Sequence, residues 1–173
     1  SYLIYFNIWV ILFGPLSEEI GFRLPLRKFS LTILKVSTSV ILAPHLVFIF
    51  ADVLWTPPDH LFFFLSYLGY IVFGCCLIYF LLGLIDVPFR KLESYWNRNP
   101  HTVHYLFAIL FAVSHCFNFD FSSMHWYQLP FLLLPFFFSS LILGYLRVRL
   151  GLVYAVLYHV CWNGISILGG MSA

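Results

Sequence analysis

Charge is the scarcest property of this sequence. Of its 173 residues, 9% are Asp, Glu, Lys or Arg, whereas ordinary soluble domains carry about 25%. The chain is 62% hydrophobic, a third of that aromatic, with a mean hydropathy of +0.93. A soluble fold of this length has no room to hide so much apolar surface. The net charge is only +2, and the basic residues stand in short clusters beside apolar runs, which excludes nucleic acid as a partner. Cys75, Cys76, Cys116 and Cys161 lie in or at the end of apolar runs, without the spacing of a zinc knuckle or a disulfide framework. They read as small, reduced residues. No basic stretch with a cleavage site opens the chain, so no signal peptide is expected. There is no HExxH for a zinc site on one helix, no GxGD aspartyl motif, and no serine set in a nucleophile loop.

What is present is a series of long apolar runs, roughly 2–26, 31–55, 61–85, 102–119, 127–146 and 150–170. They do not alternate as transmembrane β-strands would, and each approaches the roughly 20 residues that a helix needs to cross a bilayer. The expected fold is therefore all-α, a polytopic transmembrane bundle of about six spans in one domain, 1–173. The connections alternate in sign. Arg23, Arg27, Lys28 and Lys35 surround the first, and Asp52 and Asp59 flank the second, which contains Pro57 and Pro58. Arg90, Lys91 and Arg98 lie in the third, Asp120 in the fourth, and Arg147 and Arg149 in the fifth. By the positive-inside rule the first, third and fifth face the cytoplasm.

An ionisable group within an apolar run is costly unless it is paired or meets water, so each is a functional candidate. The first run holds Glu18, Glu19 and Arg23, the second His45, the fourth His104 and His115, and the sixth His159 with Asn163. Asp52, Asp86 and Asp120 fall at span ends and read as topological. His45 and His104 read as structural or interfacial, and Phe62–Phe64 and Phe136–Phe138 as packing or lipid-facing surface. Arg23 follows Glu19 by four residues, which predicts an ion pair on one helical face. Glu18 is then the freer carboxylate, suited to act as general base or metal ligand. At 1.5 Å per residue from the cytoplasmic connections, Glu18, His115 and His159 lie roughly 15, 21 and 15 Å deep. They can meet in a site opening toward the cytoplasmic half. A water between Glu18 and a histidine can lose its proton while His and Asn side chains hold an oxyanion. The same donors, Glu18, His115 and His159, can instead ligate a divalent metal such as zinc.

These residues resemble the motifs of the CPBP family of intramembrane proteases, named for CAAX and bacteriocin processing. Its EExxFR pattern is similar to Glu18-Glu19-Ile20-Gly21-Phe22-Arg23, its FxxxH to Phe111–His115, and its HxxxN to His159–Asn163. The stretch from Gly144 to His159 also resembles the family's last helices. The resemblance implies a membrane-embedded endopeptidase acting on a membrane-associated protein or peptide, including lipidated CAAX-type substrates. In it Glu18 and His115 activate water, His159 and Asn163 stabilise the oxyanion or help to hold a metal, and Glu19, Arg23 and Phe111 support them. Two departures stand out: residues 31–85 form an extra two-span hairpin between the first two motifs, and Leu24 replaces a frequent Gly. The alternative is a non-proteolytic immunity or scaffold protein that uses the same polar cluster for binding.

Overall fold

A computed structural model describes residues 7–49, 60–84, 89–119 and 124–169. Among these residues every regular element is helical, with seven α-helices and no strand. The all-α class agrees with expectation. The features read at Asp52, Pro57, Pro58, Asp59, Asp86 and Asp120 lie outside the described residues.

The first apolar run does not wind as one uniform helix. A π-helical turn, Trp9–Phe13, leads into α1 (Gly14–Glu18), followed by a second π-helical turn, Glu19–Arg23, and a 3-10 turn, Leu24–Leu26. Proline explains both π turns. The N–H of Gly14 closes on the Trp9 carbonyl and that of Leu24 on the Glu19 carbonyl, five residues back in each case. The next donors in that register are residues 15 and 25, and both are prolines without an N–H. The carbonyls of Val10 and Ile20 are thereby left to other helices. Asn163 Nδ2 donates to Val10 O at 2.9 Å, and Ser37 Oγ donates to Ile20 O at 3.1 Å.

Helices α2 (Leu31–Ile49) and α3 (His60–Gly83) run antiparallel. Cys75 Sγ reaches Ser39 O at 3.6 Å, Ala43 lies against Gly74, and the Lys35 ammonium lies beside Gly83. Small residues at this seam let the two backbones approach closely, the usual device where helices pack without a hydrophobic driving force. The same logic holds at Gly21, where a Cβ would stand 2.5 Å from Ile41 Cγ1. An Ala there would force the Ile41 side chain to shift.

The third connection was expected as a simple basic loop, yet it contains a helix, α4 (Phe89–Arg98). Its Trp96 is buried against Phe29 and Phe107, at ring separations of 5.4 and 5.5 Å. Asn99 interrupts the helix, and Pro100, with its fixed φ and missing N–H, starts α5 (Pro100–Ser114). The chain then tightens into a 3-10 turn, His115–Asn118, so the fourth apolar run ceases to be α-helical at the histidine itself. Helices α6 (Leu129–Arg149) and α7 (Leu152–Leu168) complete the fold. The ring of His104 lies directly over Gly144, which joins α5 to α6 at a point where a Cβ would collide. Arg147 donates from Nε to Arg23 O at 3.2 Å and from Nη2 to Leu24 O at 3.3 Å, capping the first segment.

Two helical stretches among the described residues, Leu65–Gly83 and Trp126–Arg149, are long and apolar enough to cross a membrane. Leu31–Val47, Pro100–Ser114 and Leu152–Ile167 are apolar but shorter. By length and composition, two spans qualify among the described residues. The long stretches are not the interior of a core, since Phe73, Phe80 and Phe131 are 68%, 63% and 72% exposed.

Candidate functional site

Separate segments bring the expected chemical groups to one point. Glu18 closes α1, Glu19 opens the second π turn, His115 opens the 3-10 turn after α5, and His159 lies in the middle of α7. His159 Nε2 stands 3.6 Å from Glu18 Oε2, and His115 Nε2 stands 3.9 Å from the same oxygen. On the other side of its ring, His159 Nδ1 is 2.9 Å from Glu19 Oε1.

The outer hydrogen bonds assign the tautomers. His115 Nδ1 lies 2.9 Å from the carbonyl of Phe111, which can only accept, so this nitrogen carries the proton. His159 Nδ1 donates likewise to Glu19 Oε1. Where each ring carries only that proton, its Nε2 lone pair is turned toward Glu18. One carboxylate oxygen and two imidazole lone pairs face one another, an all-acceptor arrangement. It calls for a proton donor or a positive charge at its centre.

Packing holds these groups rigidly. The His115 ring is sandwiched between Phe111 at 4.5 Å and Phe136 at 4.3 Å, so Phe136 is a wall of the site and not merely lipid-facing surface. Glu19 is fully buried, whereas the Glu18 side chain is 31% exposed. Glu18 and His115 border a cavity of about 290 Å³, whose far wall is Val40, Ile41, Pro44 and His45 of α2 with Tyr67 of α3. None of these five was recognised as part of a site from sequence. No motif carries them, because they reach the cavity only through the packing of the hairpin. His45, read as structural or interfacial, lies at this wall with Nδ1 2.7 Å from Ile41 O.

Glu19 and Arg23 form the expected ion pair, with Arg23 Nε 3.8 Å from Glu19 Oε2, longer than a hydrogen bond. The shorter contact of Glu19 is to His159, at 2.9 Å. The Arg23 guanidinium also lies over the Phe111 ring, 4.3 Å from its centroid, a cation–π contact in a desolvated setting. The π turn between the two residues, which widens the helix and shifts the i, i+4 register, accounts for the long separation of the pair. One expectation requires adjustment. Asn163 was expected beside His159 at the reacting centre. It lies one turn along α7, but one amide N–H is engaged by Val10 O.

A carboxylate and two imidazoles form the donor set of a catalytic divalent-ion site with an open position, and Glu19 and the Phe111 carbonyl occupy the outer places that orient such ligands. Among the described residues, no group of three His, Cys, Asp or Glu side chains already stands at metal-holding geometry. The set fits a metal by donor chemistry.

No protein-family model, no curated protein and no solved structure matches the chain.

Proposed function

We propose that this protein is a multi-pass membrane endopeptidase of CPBP type, hydrolysing a peptide bond of a membrane-associated substrate with Glu18 as general base. The observation that carries this reading is the approach of His115 Nε2 and His159 Nε2 to one oxygen, Glu18 Oε2, at 3.9 and 3.6 Å. A single water oxygen spans such separations. Glu18 takes a proton from that water as it attacks the carbonyl carbon, and returns it to the leaving amine. The Nε2 lone pair of His115 or His159 accepts the water's other hydrogen and holds the water in line for attack. Glu19 keeps the His159 ring in its orientation, as the buried carboxylate does in a Ser-His-Asp triad. The second N–H of Asn163 is chemically suited to donate to the developing oxyanion.

If the protein takes a divalent ion, Glu18, His115 and His159 hold it, and the ion supplies Lewis-acid activation of water or carbonyl. Activity before and after dialysis against a chelator, with metal content measured in parallel, separates the two chemistries.

The membrane reading is supported by the two long apolar helices and by the gathering of Arg27, Lys28, Lys35, Arg90, Lys91, Arg98, Arg147 and Arg149 around the first, third and fifth connections, as the positive-inside rule requires. On this reading the remaining apolar helices also cross the bilayer, giving about six spans with the site opening toward the cytoplasmic half. The decisive experiment replaces Glu18 by Gln, in proteoliposomes carrying a panel of membrane-anchored fluorogenic peptides. Cleavage is expected to disappear while the folded protein elutes unchanged in detergent. Full activity in that variant would overturn the assignment.

A further inference from the structure

The segment Phe89-Arg90-Lys91-Leu92-Glu93-Ser94-Tyr95-Trp96-Asn97-Arg98 is the most polar of the described helices, and its polarity is one-sided. At roughly 100° per residue, Arg90, Ser94, Arg98, Lys91 and Tyr95 fall in one arc of about 140°, and Leu92 and Trp96 fall opposite. The rotation of α4 about its own axis is fixed. Trp96 is buried between Phe29 and Phe107, and Asn99 Nδ2 closes the helix end by donating to Tyr95 O at 2.9 Å. The cationic arc is therefore held outward rather than free to roll.

That arc, with Asn99, borders a shallow, open surface depression lined by Arg90, Lys91, Ser94, Tyr95, Arg98 and Asn99. Three cations, a hydroxyl, a phenol and an amide make up its rim. Glu93, the helix's one anion, lies outside it. Arg27 and Lys28 are exposed at the same end, brought there by the Phe29–Trp96 contact. Such a rim is complementary to a singly charged phosphodiester with further oxygens beside it. An amphipathic helix with a basic face, joining apolar helices, places that rim at the level of lipid head groups.

We propose that α4 carries a binding site for the phosphodiester head group of an anionic phospholipid, held by Arg90, Lys91 and Arg98. The inference rests on the membrane placement of the chain and is independent of the hydrolytic chemistry at Glu18. The competing explanation is that these charges only set topology, which requires no selectivity between lipids.

The test uses the whole purified chain in mild detergent, offered equal amounts of phosphatidylglycerol and phosphatidylcholine, with co-purifying lipid quantified by mass spectrometry. Phosphatidylglycerol is expected to be retained in preference. Each basic residue near an anionic surface is worth a factor of about five, so the R90Q/K91Q/R98Q variant is expected to lose about a hundredfold of that preference. The single Lys91→Glu variant, at an exposed position, is expected to lose about tenfold or more, and keeps the test decisive should the triple variant misfold. Arg149→Gln, at an exposed position outside that rim, is expected to lose no more than the factor of about five of any interfacial cation. Equal retention of both lipids by the native chain, an unaltered preference in Lys91→Glu, or an equal loss in Arg149→Gln would overturn the proposal. So would complete displacement of lipid by millimolar inorganic phosphate, which would make this a soluble-anion site.

Discussion

Asn163 and Val10, 153 residues apart, are joined by a hydrogen bond of 2.9 Å from the amide to the backbone carbonyl. The bond exists because Pro15 has no N–H to offer that carbonyl in the π register. Ser37 repeats the device at Ile20, where Pro25 is the missing donor. One π turn thus precedes the acidic pair and the other begins at Glu19, each stabilised by a side chain from a different helix. The acidic pair is oriented from outside its own segment.

Asn163→Ala is expected to leave Val10 O without a partner and to lower stability by about 1–3 kcal/mol, the usual cost of a half-buried unsatisfied group. Adding Pro15→Ala to that variant restores a backbone donor and is expected to recover part of the loss. Denaturation midpoints in detergent for the single and double variants check this. A double variant less stable than the sum of the two single losses would argue against it.

Glu19 touches both His159 and the region of Arg23, and it is wholly buried. Glu19→Ala takes away the nearer carboxylate from the buried Arg23 guanidinium, at an expected cost of about 3–5 kcal/mol. Glu19→Gln keeps an oxygen for the His159 Nδ1–H and is expected to cost less. The comparison needs only thermal unfolding, and indistinguishable Ala and wild-type midpoints would refute the role assigned to Glu19.

For the proposed hydrolysis, His115→Ala is expected to reduce turnover roughly a hundredfold to ten-thousandfold, the range of a positioned acid–base group. Phe136→Ala removes one side of the ring sandwich around His115 and leaves the imidazole in place. It is expected to lower kcat less than His115→Ala does. The two are compared in the same proteoliposome assay, and a kcat for Phe136→Ala below that of His115→Ala would contradict the sandwich as a positioning device.

Gly144→Ala is expected to destabilise the protein by about 1–3 kcal/mol, as an overpacked interface does, because the new Cβ meets the ring of His104. Combining it with His104→Ala opens the space again. Non-additivity of at least about 0.5 kcal/mol in that cycle is the expected sign of direct contact.

How much of this was legible in the chain differs from residue to residue. Glu18, Glu19, His115 and His159 could be picked out because an ionisable group in an apolar run is expensive, and so conspicuous, wherever the run goes. In the fold, His115 and His159 approach one oxygen of Glu18, and Glu19 contacts the far side of the His159 ring. Trp96 and Leu92 at i, i+4 could have revealed α4, but a search for long apolar runs passes over a short helix that is polar on one side. The partners of Pro15 and Pro25 were beyond reach, because a proline announces a missing donor without naming the side chain that replaces it.

By itself, then, the sequence determined the helical class, the apolar character of the long segments, and the small set of groups able to do chemistry, since all three follow from local composition and the cost of burying charge. Only the tertiary structure decided that Glu19 serves His159 more closely than Arg23, that Asn163 closes a backbone carbonyl, and that α2 and α3 wall the cavity beside Glu18. Those outcomes depend on which helix faces come together. That choice is made by packing between segments far apart in the chain, and no local pattern records it.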